Sequence, residues 1–316
     1  MTPAMACSPD LGATTSTESA ASGWLPLSGH TALVAGTGPG IGAGIALALA
    51  RAGAAAACAD VRPAHAEHCA RDVVDAGAAA VAIAADLADE AGVEEALARA
   101  QSALGVVDVL INGVAVMDER SVLAMDYAGY LRQLRVILGS AFLLTRAVAR
   151  QLVAVGRPGA IVHLASTAGH QGQADNIGYC TAKAGLLNFA RSAAAELGPH
   201  GIRVNTLTPT TTDPRPGQAR AARWGVAAGG CGLSPRQRTN ERRLPLGRLP
   251  TPDDYGAASV YLVSDAAAVV SGSDLRVDAG ALASYWAWSA GDRRPEGGAP
   301  VADATSTTGG EHGTAG

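Results

Sequence analysis

The sequence lacks an excess of basic residues, which argues against a nucleic-acid partner. It contains 24 Lys and Arg against 28 Asp and Glu, giving a formal net charge of −4 and a pI near 6.0. Nucleic-acid-binding domains usually carry a basic patch or stripe, and no block of like charges marks an interaction tail. The composition therefore favours a small molecule as the partner.

Cysteine is scarce and has no metal-binding spacing. The chain has five cysteines, which are odd in number and form no CxxC pair: Cys7, Cys58, Cys69, Cys180 and Cys231. A dispersed, odd set predicts neither a disulfide framework nor a zinc site. We therefore expect no metal, and free thiols in a reducing compartment.

Targeting and membrane signals are missing as well. No Lys or Arg precedes Arg51, so the positively charged start of a secretory signal is absent. No apolar run reaches the length of a membrane span. We expect a cytoplasmic protein without a membrane partner.

The two ends of the chain differ in composition from the middle. Residues 1–27 are rich in Ser, Thr, Ala and Pro without periodicity, and residues 289–316 repeat this character with added glycine. Such segments bury little apolar surface, so both are predicted to be disordered. Residues 28–288 are predicted to form a single domain, a size that a parallel α/β fold can reach.

Within this domain, short apolar runs alternate with longer helical patterns, which is typical of successive βα units. Several runs are almost continuously apolar, as expected for parallel strands covered on both faces. The prediction is an α/β fold, a single doubly wound Rossmann-like domain with a seven-stranded parallel sheet flanked by helices. The predicted strands are Thr31–Gly36, Ala54–Asp60, Ala80–Asp86, Asp108–Asn112, Ala160–Ser166, Ile202–Thr208 and Asp274–Asp278.

Residues 213–249 interrupt this rhythm with Pro, Gly and Arg just after the sixth predicted strand. Ligands of open parallel sheets bind beyond the carboxyl ends of the strands. The segment is therefore predicted to be a lid or loop over the ligand rather than core. Its arginines leave two interpretations open, an anionic or polyhydroxylated ligand and an ordinary solvated loop.

A glycine-rich turn follows the first predicted strand and opens an apolar helix. It reads AGTGPGIG and contains Gly36, Gly40 and Gly42. Glycines let backbone N–H groups at the positive helix end approach a pyrophosphate. Asp60 ends the second predicted strand 18 residues after Gly42, where a carboxylate accepts hydrogen bonds from a ribose diol. Together these features predict a dinucleotide site.

The acidic residue also bears on which dinucleotide binds. Asp60 would repel a 2′-phosphate, so NAD(H) is predicted to bind in preference to NADP(H), and Arg62 is the feature that could reverse this preference. Asp86 and Leu87, at the end of the third predicted strand, are predicted to border the adenine ring.

Tyr179 and Lys183 are four residues apart in YCTAK, a spacing that places both on one face of a helix. A phenol is a poor base at neutral pH unless a nearby cation favours the phenolate. Lys183 can supply that charge, so Tyr179 can exchange a proton with an alcohol. Ser166 ends the fifth predicted strand, where its hydroxyl can bind the reacting oxygen.

The motifs AGTGPGIG, Asp60, DVLINGVA, Ser166, YCTAK, GIRVNTLTP and VSGSDLRVDAG, in this order, resemble the classical short-chain dehydrogenase/reductase family over about residues 28–284. The resemblance implies NAD(H)-dependent hydride transfer between a secondary alcohol or ketone substrate and the nicotinamide. It implies that Tyr179 is the catalytic acid/base, that Lys183 holds the nicotinamide ribose and lowers the tyrosine pKa, and that Ser166 positions the substrate. A homotetramer or homodimer built through the long helices is also implied.

The residues predicted to bind the cofactor come from the turn, the strand ends and this resemblance. They are Gly36, Gly40, Ile41, Gly42, Asp60, Val61, Asp86, Leu87, Asn112, Gly113, Tyr179, Lys183, Pro209 and Thr212.

The sequence departs from the family pattern at several positions. Asn112-Gly113-Val114-Ala115 replaces Asn-Asn-Ala-Gly, Pro209-Thr210 replaces Pro-Gly, and Ile137 aligns with an asparagine that holds a water chain to the lysine. The loss of this asparagine keeps a second hypothesis open, a catalytically impaired relative that binds dinucleotide and has a regulatory or assembly role. A third is an NADPH-linked 3-oxoacyl-type reductase. The substrate and the physiological direction are not encoded in any motif.

Some residues outside these motifs receive weaker expectations. His163 lies in an apolar strand and is predicted to be a satisfied core histidine rather than a catalyst. His170 and Gln173 either face the substrate or lie in a solvated loop. The bulky aromatics Trp224, Tyr285, Trp286 and Trp288 line a pocket or seal a subunit interface, the latter favoured for the last three.

Overall fold

The computed structural model describes residues 25–227 and 232–284. Seven strands form one parallel sheet in the order β3-β2-β1-β4-β5-β6-β7, which confirms the predicted doubly wound fold. The chain reverses its direction across the sheet between β1 and β4, and such a switch point is where ligands bind. The strands are β1 Thr31–Ala35, β2 Ala55–Asp60, β3 Ala80–Ala84, β4 Val109–Asn112, β5 Gly159–Leu164, β6 Ile202–Pro209 and β7 Asp274–Val277.

Helices cover both faces of the sheet. Alternate residues of a strand point to opposite faces, and in β1 Ala32 and Val34 join one core cluster while Leu33 and Ala35 join the other. The first cluster includes residues of α1, α2 and α9, and the second includes residues of α3, α5 and α6. The helices are α1 Ile41–Arg51, α2 Pro63–Asp75, α3 Glu90–Leu104, α4 Tyr127–Leu134, α5 Ser140–Val155, α6 Ile177–Leu197, α7 Arg215–Trp224, α8 Pro235–Arg243 and α9 Pro252–Val263.

A π-helical turn, Arg135–Gly139, joins α4 to α5 in one long helix, Tyr127–Val155. By length and composition this helix could cross a membrane, contrary to the expectation from the sequence. Half of its most apolar stretch is buried inside the fold, as in the core helix of an ordinary α/β domain. Arg146 and Arg150 lie within the long helix.

The folded part begins earlier than predicted. Leu27, assigned from composition to the disordered N-terminal segment, is fully buried, and its N–H donates to the carbonyl of Ala52 at 2.6 Å. The prediction for residues 25–27 is therefore wrong, because a single apolar residue joins the core without any periodicity around it. Residues 1–24 and 285–316, with Tyr285, Trp286 and Trp288, lie outside the described residues.

The segment 213–249 is also more ordered than predicted. It contains α7 and α8, and a capping box between Ser234 and Gln237 begins α8. Trp224, at the end of α7, is 5% exposed and belongs to the first core cluster. The prediction that this segment is a loop outside the core is wrong for α7, because Trp224 packs against His68 of α2 and joins the core.

Candidate active site

A cavity of about 820 Å³ opens beyond the carboxyl ends of the strands. Its lining includes the glycine-rich turn, the ends of β2, β5 and β6, the turn after β4, and residues of α6. Its volume is within the range of sites for cofactors and small ligands. All the predicted site residues line this one cavity except Asn112.

The glycine-rich turn has a shape that only glycine allows at two positions. Gly36 has φ of +87°, a conformation that side chains rarely adopt. A Cβ at Gly42 would collide with the carbonyl oxygen of Gly36. By contrast, a Cβ at Gly40 would meet nothing within 4 Å, so this glycine leaves part of the cavity open. No side chain caps the start of α1, and its first N–H groups are available to an anion such as a diphosphate.

Asp60 lies at the cavity wall, 8% exposed, at the end of β2. Its Oδ1 accepts a hydrogen bond from the backbone N–H of Arg62 at 2.9 Å and lies 3.5 Å from Nδ1 of His65. The guanidinium of Arg62 makes no ion pair or hydrogen bond with any described residue. Arg62 and His65 both line the cavity, so the carboxylate is flanked by two groups that can carry positive charge. His65 was missed from the sequence because nothing in its spacing distinguishes it from other α2 residues.

Lys183, Tyr179 and Ser166 meet at the carboxyl end of β5. The Lys183 Nζ donates to the carbonyl of Leu164 at 2.5 Å and lies 5.5 Å from the centre of the Tyr179 ring. Lys183 is 3% exposed, and burial lowers its pKa to about 7. Ser166 accepts a hydrogen bond from the N–H of Ala168 at 3.1 Å. Helix α6 therefore brings the lysine and the tyrosine together beside the strand end, as its four-residue spacing predicts.

The pKa of Tyr179 departs from the sequence-based expectation. Burial raises the pKa of Tyr179, and a hydrogen bond with Ser166 opposes this only in part. The predicted lowering of the Tyr179 pKa by Lys183 is therefore not found among the described residues. The physical reason is that burial raises the tyrosine pKa and also favours the neutral form of the lysine.

Ile137 occupies the position of the family's asparagine, in the π-helical turn, and is fully buried. It packs in a small cluster with Ala182 and Leu186 of α6, and the ring of Tyr179 lies against this cluster. An isoleucine side chain has no group that transfers a proton or holds a water. Lys183 is instead held by the Leu164 carbonyl.

Asn112 is the one predicted cofactor residue that does not line the cavity. It is 3% exposed, its amide nitrogen lies 3.3 Å from Nδ1 of His163, and its Oδ1 accepts from the N–H of Val114 at 3.1 Å. The side chain holds the turn after β4 through its hydrogen bond with Val114, and its assignment as a cofactor ligand stays a prediction. The sequence placed it correctly at a strand end but could not tell which way it points.

His163 and His170 also lie outside the cavity lining. His163 is fully buried between Asn112 and Thr145, whose hydroxyl lies 3.0 Å from its Nε2, and burial lowers its pKa to about 3. The prediction of a satisfied core histidine is confirmed. His170 contacts Asp274 at 3.1 Å and does not line the cavity. Gln173 accepts a hydrogen bond from Asn176 and does not line it either.

The cavity also has a wall that the sequence did not predict. Val116, Arg132, Arg135 and Val136 line it from the loop after β4 and from the long helix. Neither Arg132 nor Arg135 forms an ion pair within the described part of the chain. On the opposite side, Thr212 lines the cavity and its hydroxyl lies 3.2 Å from that of Tyr255. None of the described residues of the predicted lid, 213–227 and 232–249, lines it.

The parallel sheet, the glycine-rich turn and the Ser-Tyr-Lys arrangement define a dinucleotide-dependent dehydrogenase site. A family model described as Enoyl-(Acyl carrier protein) reductase matches residues 35–281. Together with the relatives below, this match shows that the chain belongs to the classical short-chain dehydrogenase/reductase family.

The relatives include several sugar and polyol dehydrogenases. The chain is 36% identical to the L-rhamnose 1-dehydrogenase (NAD(P)(+)) of Azotobacter vinelandii over 67% of this chain and 78% of that protein. It is 31% identical to the sorbitol dehydrogenase of Cereibacter sphaeroides over 80% and 98%, respectively. The crystal structure of a gluconate 5-dehydrogenase from Burkholderia cenocepacia J2315 in complex with NADP and tartrate superimposes with a TM-score of 0.72 at 27% identity. The match covers 82% of this chain and 98% of that structure.

Proposed function

We propose that this protein is an NAD(P)(H)-dependent oxidoreductase that interconverts a secondary alcohol and a ketone on a sugar, polyol or sugar acid. The observation that carries the proposal is that Ser166, Tyr179 and Lys183 line the same cavity as the glycine-rich turn and Asp60. A bound nicotinamide would accept or donate the hydride. The substrate class is suggested by the named activities of the relatives.

In this proposal Tyr179 exchanges the proton of the substrate oxygen. Ser166 donates a hydrogen bond to that oxygen and limits the rise in the pKa of Tyr179. Lys183, oriented by the Leu164 carbonyl, binds the ribose hydroxyls. When the lysine is protonated, its positive charge also stabilises the Tyr179 phenolate. Because its pKa is about 7, a substantial fraction of the lysine carries this charge at neutral pH.

The sequence predicts a preference for NAD(H), but the site gives reasons to include NADP(H). Asp60 is suited to a ribose diol, whereas Arg62 and His65 lie beside it and are suited to a 2′-phosphate. One relative is named for NAD(P)+ and one related structure holds NADP. We therefore propose that the protein accepts both cofactors.

Titration of the protein with NADH and with NADPH, followed by nicotinamide fluorescence, tests the cofactor assignment. The proposal predicts saturable binding of both. In Asp60→Asn, NADPH should bind more tightly and NADH at least about tenfold less tightly, because a charged hydrogen-bond acceptor of the ribose is lost. Asp89→Asn is the matched control, since the exposed Asp89 carboxylate caps the start of α3 and does not line the cavity. Failure of the wild type to bind either cofactor would contradict the proposal.

A second candidate is an acyl-chain reductase, favoured only by the description of the matching family model. An acyl-chain reductase should oxidise NADPH with a 3-oxoacyl or enoyl thioester and ignore polyols. The impaired-relative hypothesis, motivated by Ile137, predicts dinucleotide binding without turnover of either substrate class. Parallel assays with a polyol panel and a thioester panel therefore separate the three.

A further inference from the structure

A buried arginine of α7 forms hydrogen bonds with the backbone of the glycine-rich turn. The Arg220 side chain is 9% exposed, and its Nη1 donates to the carbonyl of Pro39 at 2.6 Å and lies 3.3 Å from that of Gly40. A Cβ at Gly217, one turn earlier, would lie 3.3 Å from the Cα of Gly40, so the helix packs tightly on the turn. Helix α7 therefore supports this turn, although it does not line the cavity.

Asp72 of α2 fixes the orientation of α7. Its Oδ2 accepts hydrogen bonds from Trp224 Nε1 at 3.1 Å and from Arg223 Nη2 at 3.2 Å, and lies 3.8 Å from Nε of Arg220. The Trp224 ring stacks on His68 with 5.5 Å between ring centres and 10° between planes. Burying a cation is unfavourable unless it is paired and hydrogen-bonded. Arg220 has its charge partner Asp72 and its Nη1 hydrogen bonds to the turn only while α7 is docked, and its Nε is left without a hydrogen-bond partner.

Because of the geometry of the peptide bond, the contact with Arg220 affects the direction of N–H groups at the cavity. In a trans peptide the C=O of one residue and the N–H of the next point in opposite directions, and no described peptide bond is cis. A donor that holds the Pro39 carbonyl on the α7 side therefore directs the Gly40 N–H to the other side. The Gly40 carbonyl is shared between Arg220 and the Gly44 N–H of α1, at 3.3 and 3.2 Å, and this pair of contacts orients the Ile41 N–H. Gly40 and Ile41 both line the cavity, and their N–H groups belong to the uncapped start of α1.

We propose that Arg220 is a positioning residue for the cofactor: by holding the carbonyls of Pro39 and Gly40 it orients the N–H groups that bind the dinucleotide diphosphate. The inference rests on the proposed function and extends it to a residue outside the cavity wall. Hydrogen bonds to an anion depend strongly on direction. Loss of Arg220 should therefore weaken diphosphate binding without altering the Ser166-Tyr179-Lys183 chemistry.

The test compares Arg220→Met with Arg223→Met. The two arginines share α7 and the Asp72 carboxylate, but Arg223 is 63% exposed and does not bond to the turn. Each variant is titrated with NADH and with ADP-ribose, which keeps the diphosphate but lacks the nicotinamide, and thermal unfolding is followed in parallel. We expect Arg220→Met to raise both dissociation constants at least about tenfold with kcat within about threefold, and Arg223→Met to change neither by more than about threefold.

A conservative variant guards against an effect of misfolding. In Arg220→Lys an ammonium can still donate to the Pro39 carbonyl, so affinity should recover toward the wild-type value, whereas a purely steric role would give equal losses in the two variants. The proposal is overturned if Arg220→Met binds both ligands like the wild type, if Arg223→Met loses as much affinity, or if Lys gives no recovery over Met. A wild type that binds neither ligand refutes the proposed function and this inference together, whereas a wild type that binds and an unaffected Arg220→Met refute only the inference.

Discussion

Lys183 occupies an unusual position for a lysine, because its ammonium lies inside the fold and donates a hydrogen bond to a backbone carbonyl. It is 3% exposed and contacts the Leu164 oxygen, and desolvation lowers its pKa from 10.5 to about 7. Such a shift favours unfolding of the chain at any pH where the unfolded lysine is charged. We therefore expect Lys183 to be required for activity and to lower the free energy of unfolding.

Replacement of Lys183 by Met should reveal this cost. The unfolded chain binds the lysine proton more tightly, so this group makes stability rise with pH between about 7 and about 10.5. The variant should unfold at a temperature at least about 2 °C higher than the wild type at pH 6, a difference that shrinks as the pH approaches 10. Calorimetry at both pH values measures this, and an equally or less stable variant at pH 6 would contradict it. Turnover should be lost.

At the scale of elements, the turn between β1 and α1 separates the needs of folding from those of binding. Gly42 is required because a Cβ there has no space, whereas Gly40 has open space around it on the cavity side. The two glycines thus serve different purposes, although they are two residues apart in one motif.

Alanine at each position tests this division. Gly42→Ala should destabilise the protein by at least about 1–3 kcal/mol, because the turn must shift to remove the overlap. Gly40→Ala should cost less stability than Gly42→Ala, because no atom overlaps the added methyl group, although a ψ of −121° lies outside the regions that alanine favours. It should also bind NADH more weakly, because the methyl group occupies space in the cavity. Denaturant unfolding and NADH titration measure the two effects. Equal behaviour of the two variants would show that the motif has a single role.

A second element-scale contact joins β1 and β4 at their amino ends, far from the cavity. Asp108 is 3% exposed and accepts from His30, Arg157 and the N–H of Thr31. Its hydrogen bond and charge raise the pKa of His30. A histidine with a raised pKa contributes stability that is complete below 6.5 and is lost as the pH rises through the folded value.

The variant His30→Gln should therefore be less stable than the wild type at acidic pH and approach it at alkaline pH. Because His30 is partly exposed, the difference should be no more than about 1 kcal/mol at about pH 5.5 and should vanish near about pH 8.5. Urea unfolding at the two values provides the measurement. A constant difference at both values would mean that the imidazole acts by packing alone.

At the scale of the whole molecule, an apolar groove of about 580 Å³ between α5 and α6 faces outward. Phe142 and Val153 are 50% and 44% exposed there, and Phe189 and Leu197 line the same groove. Contiguous exposed apolar surface of this kind marks an interaction site. A second copy of the chain is the expected occupant, in line with the oligomer that the family resemblance implies.

Phe142→Asp should shift the protein toward the monomer, because a carboxylate in the groove cannot be desolvated without a partner. Light scattering coupled to gel filtration measures the mass. Leu123→Asp is the control, since Leu123 is 95% exposed but lies outside the groove. If both variants retain the wild-type mass, or if the wild type is itself monomeric, the expected assembly is wrong.

The sequence predicted the seven strands and most of the cavity, because buried parallel strands are apolar runs and their ends carry the glycines and polar residues of the site. It failed where tertiary contacts decide. The direction of the Asn112 side chain, the burial of Leu27 and the docking of α7 through Arg220 depend on neighbours distant along the chain. Apolar periodicity contains no information about a buried arginine. The segment that contains α7 was therefore predicted to be a lid or loop rather than core.

The most direct test of the central claim is the alcohol-dependent reduction of NAD+ and NADP+ by the wild type and by Tyr179→Phe over a panel of sugars, polyols and sugar acids. We predict turnover by the wild type with members of this panel and a loss of at least about 10²–10⁴-fold in the variant, while the variant still binds NADH. A wild type that binds the dinucleotide but oxidises no member of the panel, or a Tyr179→Phe variant that is as active as the wild type, would contradict the account.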